Sequence, residues 1–194
     1  SVSNISFMSD ALKQSKNLIF FTILYNLIEG IFALSVGFSE NSTALLSFGI
    51  DSFIEIFASG VALLGISNSK KINEETAERY IAYSFLFLIF FILAKSSYDL
   101  LNNKANEITY IGIIIGVISI LVEGPLAYKK LKIGRKLNNA VIIAEAKETL
   151  FCLNLSVLVI IGVGVNYFFD IWYFDPVAAL LMIPWLFKEY REHK

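Results

Sequence analysis

The chain has 194 residues, of which 56% are hydrophobic and 17 are phenylalanine, and its formal net charge is −1. A soluble domain contains roughly 45–50% apolar residues, so this composition indicates a polytopic membrane protein. The nearly balanced charge argues against nucleic-acid binding, and a single cysteine excludes an internal disulfide framework. The polar residues at the N-terminus precede an apolar segment that is too long for a signal peptide.

Six segments are long and apolar enough to cross a membrane, which requires ~20 mostly apolar residues. Charged residues, asparagine, glycine and proline separate them, as expected for turns between helices. We therefore predict an all-α polytopic membrane protein with six transmembrane helices, at residues 17–38, 43–66, 80–101, 109–128, 139–165 and 172–190. They form one transmembrane domain, residues 17–190, between an N-terminal segment, 1–16, and a short tail, 191–194.

The distribution of basic residues predicts the orientation of these helices. One end of the bundle is flanked by Lys13, Lys16, Lys70, Lys71, Arg79, Lys129, Lys130, Lys132, Arg135, Lys136, Lys188, Arg191 and Lys194. The loops at the other end hold Lys104 together with Glu40, Glu107 and Asp170. By the positive-inside rule both termini are cytoplasmic, and the even number of helices agrees. The basic stretch 129–136 also suits an anionic lipid surface, but we interpret it as an orientation signal.

Predicted helix 2 carries two carboxylates in an otherwise apolar stretch. Asp51 and Glu55 are four residues apart, so they lie on one helix face about one turn apart. Counted from Thr43, they lie roughly 12 to 18 Å along the helix, near the middle of the bilayer. Ionisable groups at that depth are costly and usually face the interior of a bundle or an aqueous cavity. Close approach of neighbouring helices is favoured by Gly49, Ser52, Ala58, Ser59 and Gly60.

Predicted helix 5 repeats this spacing with Glu148 and Cys152. Counted from Asn139 at its cytoplasmic end, the pair reaches the same depth as the pair on helix 2. Two antiparallel helices would therefore bring all four side chains to one level. Three carboxylates and a thiolate form a ligand set suited to tetrahedral binding of a divalent transition metal such as zinc.

These residues also have structural interpretations. A buried carboxyl group can serve as a neutral hydrogen-bonding group, or it can pair with Lys95 or Lys147. Cys152 by itself can be a small apolar filler, so its role depends on its position beside the acids. Glu123 and Lys95 can likewise form a purely structural pair.

Four further polar residues lie within the predicted helices: Asn26, Glu29, Glu123 and Glu145. Asn26 and Glu29 are close together on helix 1, and Glu123 precedes a Gly-Pro pair late in helix 4. Glu145 lies nearer the cytoplasm than the pair on helix 5 and is placed to line an access path. Each of the four can support a metal site or form a proton path, and each can equally satisfy a neighbouring helix.

Four features of the chain resemble the cation diffusion facilitator, or cation efflux, family of metal/proton antiporters. The stretch NLIEGIFALSVGFSENSTALLSFGIDSFIEIFASG is similar to the family's first two helices, and within it Asp51-Ser-Phe-Ile-Glu55 takes the place of a metal-binding pair. KKLKIGRKLNNAVIIAEAKETLFC resembles the start of the fifth helix, and WYFDPVAALLMI the start of the sixth. In the fifth helix Glu148 stands where the family has histidine, and Cys152 where it has aspartate.

The resemblance implies an exporter of divalent transition-metal ions that works by alternating access in exchange for protons. Its metal site would lie at mid-membrane between helices 2 and 5 and consist of Asp51, Glu55, Glu148 and Cys152. Zinc is the expected ion, with manganese, iron, cobalt, nickel and cadmium as alternatives. The other expected partners are protons and the lipid bilayer of the plasma (inner) membrane, and no prosthetic group is expected.

The chain also departs from the family's pattern. The segment SNSKKINEETAERY lacks the histidines that the family carries between helices 2 and 3. We also expect this member to lack the family's cytoplasmic C-terminal metal-binding domain. The resemblance is therefore to short, divergent members, and a homodimer is an open expectation. Two alternatives remain: a non-transporting membrane module that binds metal or a partner, and a transporter of another cation. An enzyme is not expected, because the sequence has no recognisable nucleophile arrangement or soluble catalytic domain.

Overall fold

The computed structural model describes residues 2–67, 74–103 and 109–192. The predicted loop segments 68–73 and 104–108, with Lys70, Lys71, Lys104 and Glu107, lie outside the described residues, as do the last two residues of the predicted tail. The described residues form six helices: α1 (Val2–Glu40), α2 (Thr43–Ile66), α3 (Glu74–Leu101), α4 (Ile111–Leu137), α5 (Ala140–Phe169) and α6 (Phe174–Glu192). The predicted all-α fold is confirmed.

Five of the described helices are long and apolar enough to cross a membrane, over Asp10–Glu40, Thr43–Ile66, Arg79–Leu101, Ile111–Leu137 and Ala140–Phe169. This confirms a multi-pass membrane protein. Helix α6 has 19 residues with charges near both ends, including Asp175, Lys188 and Arg191, and it does not reach that apolar composition. It packs against α3 and α5 in the bundle, and its crossing of the membrane stays a prediction.

All the described helices except α2 extend beyond a predicted limit: α3 begins six residues early, α5 and α6 end four and two residues late, and α1 and α4 extend furthest. Helix α1 begins at Val2, so the predicted N-terminal segment continues directly into the first membrane helix. Helix α4 continues to Leu137, nine residues past the predicted end, so that the basic stretch 129–136 forms two further helical turns where a loop was predicted. The turn that follows is short: Asn138 adopts a left-handed conformation (φ 47°), and the Asn139 side chain caps α5 by accepting a hydrogen bond from the Ile142 amide at 3.1 Å.

The helices pack in pairs, α1 with α2, α4 with α5 and α3 with α6, and α2 contacts α5 across the middle. Two glycines allow close crossings. A methyl group at Gly49 would lie 3.0 Å from the Leu34 backbone nitrogen, and one at Gly116 would lie 3.2 Å from the Ser156 carbonyl oxygen. These contacts draw α1 onto α2 and α4 onto α5 at the level where the buried polar side chains lie.

The outward faces of the helices are apolar, whereas polar side chains lie at several depths in the interior of the bundle. At least half of the side chain is exposed at Phe20, Phe32, Phe87 and Phe90, which suits contact with lipid hydrocarbon. Buried inside are Asn26, Glu29, Asp51, Glu55, Glu123, Lys130, Glu145, Glu148 and Glu189, among other polar groups. The fold therefore concentrates ionisable groups along the bundle axis.

Candidate metal centre

Helix α2 presents two buried carboxylates to α5. The helix is anchored at its start by Ser42, whose hydroxyl oxygen accepts a hydrogen bond from the Leu45 amide at 3.1 Å. Two turns further on, Asp51 is 2% exposed, and the groups that surround its carboxylate include Glu55, Glu148 and Cys152. The predicted convergence of helices 2 and 5 is therefore present at this level.

Helix α5 supplies the other half of the group. Cys152 is fully buried, and its thiol neighbours the carboxylates of both Asp51 and Glu55. Glu148 is 8% exposed and lies close to the same two acids. The four residues selected from the sequence thus share one interior region, while their role as metal ligands stays a prediction.

A tighter cluster brings residues of α1 and α4 to Cys152. A carboxylate oxygen of Glu29, a carboxylate oxygen of Glu123 and the sulfur of Cys152 all lie within 4.8 Å of one another. Among residues 2–67, 74–103 and 109–192, no other group of three or more potential metal ligands comes this close together. The four ligands predicted from the sequence do not form such a group. Helices α1, α4 and α5 each contribute one member. The sequence suggested Glu29 and Glu123 only as supporting residues.

Hydrogen bonds orient Glu29 but leave Glu123 without any. The Tyr25 hydroxyl donates to Oε1 of Glu29 at 2.7 Å, and the Ser52 hydroxyl donates to Oε2 at 3.3 Å. Glu123 is 1% exposed, and neither of its carboxylate oxygens makes a hydrogen bond of standard geometry, although the Cys152 thiol and the Ser119 hydroxyl are neighbours. One turn before Glu29, the amide of Asn26 is buried and also unpartnered.

A buried lysine lies closer than this cluster to the ends of the helices that are predicted to be cytoplasmic. Nζ of Lys130, on α4, is 2.7 Å from Oε2 of Glu145. It also donates to the hydroxyls of Thr22 at 2.9 Å and Thr149 at 2.6 Å. The Thr149 hydroxyl in turn donates to Oε1 of Glu55 at 2.7 Å. Lys130 therefore connects α1, α4 and α5 to a carboxylate of the candidate site on α2.

The charges in this interior do not balance. The carboxyl groups of Glu29, Asp51, Glu55, Glu123, Glu145, Glu148 and Glu189 are all buried, whereas Lys130 is the one buried basic residue among those that the structure describes. Isolated buried charges cost several kcal/mol each unless they are compensated. Such an interior favours the uptake of cations.

The family model for the cation efflux transmembrane domain matches residues 81–193, which is more than half of the chain. The chain belongs to the cation efflux family. This confirms the family suggested by the sequence motifs, and the match extends from α3 through α6.

One relative of this cation efflux chain is an uncharacterized transporter of Methanocaldococcus jannaschii, which is 26% identical over 172 residues. The alignment covers 83% of this chain and 60% of the relative, so the chain spans about three-fifths of the length of the curated relative that it matches. Glu123, Glu148 and Cys152 lie inside the region that the family model matches, whereas Asp51 and Glu55 precede it.

The structure of this cation efflux domain corrects two interpretations made from sequence. Lys95 does not pair with Glu123; its Nζ lies 2.5 Å from Oδ2 of Asp99, four residues along the same helix. Lys130 is not a loop residue but a buried one, and it was missed because α4 was predicted to end at residue 128. A usable signal was present, since Lys130 follows Glu123 by seven residues, or two helical turns, on one face. Lys147 is exposed on α5.

Proposed function

We propose that this chain exports a divalent transition-metal ion, zinc in the first place, across the plasma membrane in exchange for protons. The observation that carries the proposal is the gathering of Asp51, Glu55, Glu148 and Cys152 where α2 meets α5, inside a bundle with an excess of buried carboxyl groups. Membership of the cation efflux family supports the same function. Alternating access would open this level of the bundle to one side of the membrane and then to the other.

The ligand chemistry supports both the choice of ion and the exchange. Carboxylates and thiolate bind metal only when deprotonated, so protons and metal compete for the same atoms. Protons entering from outside would release the ion, and their loss to the cytoplasm would restore the site. Zinc accepts oxygen and thiolate ligands together in tetrahedral geometry. The thiolate favours zinc or cadmium over manganese, and iron, cobalt and nickel lie between them.

The hydrogen bonds around Glu55 would hold the site in position. Because Nζ of Lys130 donates to the Thr149 hydroxyl, that hydroxyl is directed toward Oε1 of Glu55. Such support for a ligating carboxylate is common in metal sites, and its loss typically lowers metal affinity by about 10–100-fold. Ser59 performs a similar role for Glu145, donating to its Oε1 at 2.8 Å.

The test is zinc-driven proton flux in proteoliposomes, followed with a pH-sensitive dye inside the vesicles. Wild-type protein is expected to couple a zinc gradient to proton movement, and Asp51→Asn is expected to abolish it because a neutral amide replaces a ligand. Glu40→Gln is the matched control, since Glu40 is a buried glutamate at the far end of α1. Undiminished flux in Asp51→Asn would overturn the site assignment. Metal binding by wild-type protein without any flux would instead indicate a non-transporting metal-binding module.

A further inference from the structure

We propose that Glu29, Glu123 and Cys152 form a second metal site, between α1, α4 and α5, for a thiophilic divalent cation. It shares the Cys152 thiolate with the α2–α5 site, and Glu55 of that site also lies near Glu29 and Glu123. The proposal concerns binding and goes beyond the proposed transport function, since it can hold whether or not the chain moves metal across a membrane.

The geometry of the three ligand atoms is close to that of an occupied site. Three atoms that are no more than 4.8 Å apart share a point within about 2.8 Å of each of them. Zinc binds oxygen at about 2.0–2.2 Å and sulfur at about 2.3 Å. Each side chain would therefore have to move by less than ~1 Å to reach bonding distance. Changes of this size need only small adjustments of side-chain torsions.

The surroundings of Glu123 are an independent indication that this cluster can bind a cation. Its side chain is 1% exposed, and both carboxylate oxygens lack a hydrogen-bond partner. A buried polar group without a partner costs about 1–3 kcal/mol, and a charged one costs more. A divalent cation bound by these oxygens would remove that cost. The nearby Asn26, buried with an unpartnered amide, is a further oxygen donor on the same side of α1.

Glu29 is already held in an orientation suitable for binding. Tyr25 and Ser52 donate to its two oxygens, one each. A carboxylate has about four acceptor positions, so both oxygens keep capacity for a metal ion. Donors of this kind fix the orientation of ligating carboxylates in known metal sites. The close crossing of α1 and α2 at Gly49 places Ser52 within reach of Glu29.

The ligand types define the class of cation. Two carboxylates and one thiolate suit zinc, cadmium or cobalt better than magnesium or calcium, which prefer oxygen alone. Because Cys152 belongs to both groups, an ion bound tightly at one of them withdraws the thiolate from the other. The two sites would therefore be occupied in alternation, and the sulfur would remain a ligand as an ion moves between them.

The test uses Cd²⁺ as the probe with purified, metal-free protein in lipid nanodiscs. Binding at Cys152 is followed by the ultraviolet absorption of the cadmium–thiolate bond, and total bound cadmium by equilibrium dialysis. In an Asp51→Asn background, which disables the α2–α5 site, Glu29→Gln and Glu123→Gln are each expected to weaken Cd²⁺ binding at the thiolate by about tenfold or more. Asp51→Asn is expected to keep the thiolate absorption, and Glu40→Gln is the matched control with unchanged binding. Glu40 lies eleven residues after Glu29 on α1, ~16 Å away along the axis.

Two results would overturn the second site. One is an unchanged Cd²⁺ affinity at the thiolate when Glu29→Gln and Glu123→Gln are each added to Asp51→Asn; the other is loss of the thiolate absorption in Asp51→Asn alone. Should a variant fail to fold, anomalous scattering from cadmium-soaked crystals of the wild type decides the question, since the ion lies either against α1 and α4 or only between α2 and α5. The flux assay on Asp51→Asn remains a separate test of the transport proposal, so the two can fail independently.

Discussion

Lys130 and Glu145 form an ion pair inside the helix bundle, with Nζ 2.7 Å from Oε2 and side chains that are 0% and 2% exposed. The pair joins α4 to α5, and through Thr149 it is linked to Glu55 on α2. Lys130 is the single basic side chain among the described buried residues, and it lies next to an interior rich in carboxyl groups. It partly neutralises that interior and holds Thr149 against Glu55.

Breaking this pair from one side should destabilise the protein strongly. In Lys130→Met, Glu145 would be left buried without its counter-charge, and such changes typically cost about 3–5 kcal/mol. The double variant Lys130→Met/Glu145→Met should recover most of that loss, because two apolar side chains of similar volume replace both charges. Unfolding of the detergent-purified protein by heat or by denaturant measures the three free energies of unfolding.

Lys147→Met is the control for this comparison, because Lys147 is an exposed lysine on α5. Its free energy of unfolding is expected to stay within about 0.5 kcal/mol of the wild-type value. A Lys130→Met variant as stable as Lys147→Met would show that the interior ion pair does not contribute as described.

The sequence could place Asp51 and Cys152 at one level because that placement depends only on their depth along the helices. Asp51 and Cys152 each lie a countable number of residues from the end of a helix, so antiparallel packing of two helices places them at one level. Helix α2 has the predicted limits, since Ser42 caps its start and the chain between Thr43 and Ile66 is almost entirely apolar or small.

The cluster of Glu29, Glu123 and Cys152 depends on features that a single sequence does not contain. Whether Glu29 and Glu123 reach Cys152 depends on the rotation of α1 and α4 about their axes. That rotation is difficult to predict for helices that are apolar towards lipid and partly polar towards each other. Lys130 was missed for a different reason: lysine is a good helix former, but the run of charge after Tyr128 was interpreted as a loop. Its partner, Glu145, lies on the next helix.

A second prediction concerns the end of the bundle where α2 begins. Asp175, at the start of α6, accepts hydrogen bonds from the Ser42 hydroxyl at 2.5 Å and from the Thr43 amide at 2.7 Å. The Thr43 hydroxyl also donates to Oδ2 of Asp99 at 2.8 Å. These bonds connect α2, α3 and α6 and hold the start of α2 in place.

Asp175→Asn should lower the free energy of unfolding by about 1–3 kcal/mol, because one acceptor oxygen becomes an amide group that cannot accept a hydrogen bond. Cd²⁺ binding should be unchanged, since Asp175 lies more than two helical turns of α2 away from Asp51. Asp170→Asn is the control: Asp170 is exposed with a positive φ of 54°, a conformation that asparagine adopts readily. Equal stabilities of the two variants would contradict a structural role for Asp175.

The last prediction is that Cys152 determines which metal this chain prefers. Replacing the thiolate with a carboxylate in Cys152→Asp keeps a negative ligand on the same turn of α5 but removes the soft donor. Soft thiolate favours zinc and cadmium, whereas carboxylate favours harder ions such as manganese. We therefore expect the ratio of Cd²⁺ to Mn²⁺ affinity to fall by about tenfold or more in Cys152→Asp, equivalent to at least ~1.4 kcal/mol. Competition between the two ions for binding in nanodiscs measures that ratio directly.

Cys152→Ser is the comparison, since a neutral hydroxyl should weaken the binding of both ions without favouring manganese. A ratio in Cys152→Asp equal to that of the wild type would show that the thiol does not bind the ion and is packed in the bundle as an apolar side chain.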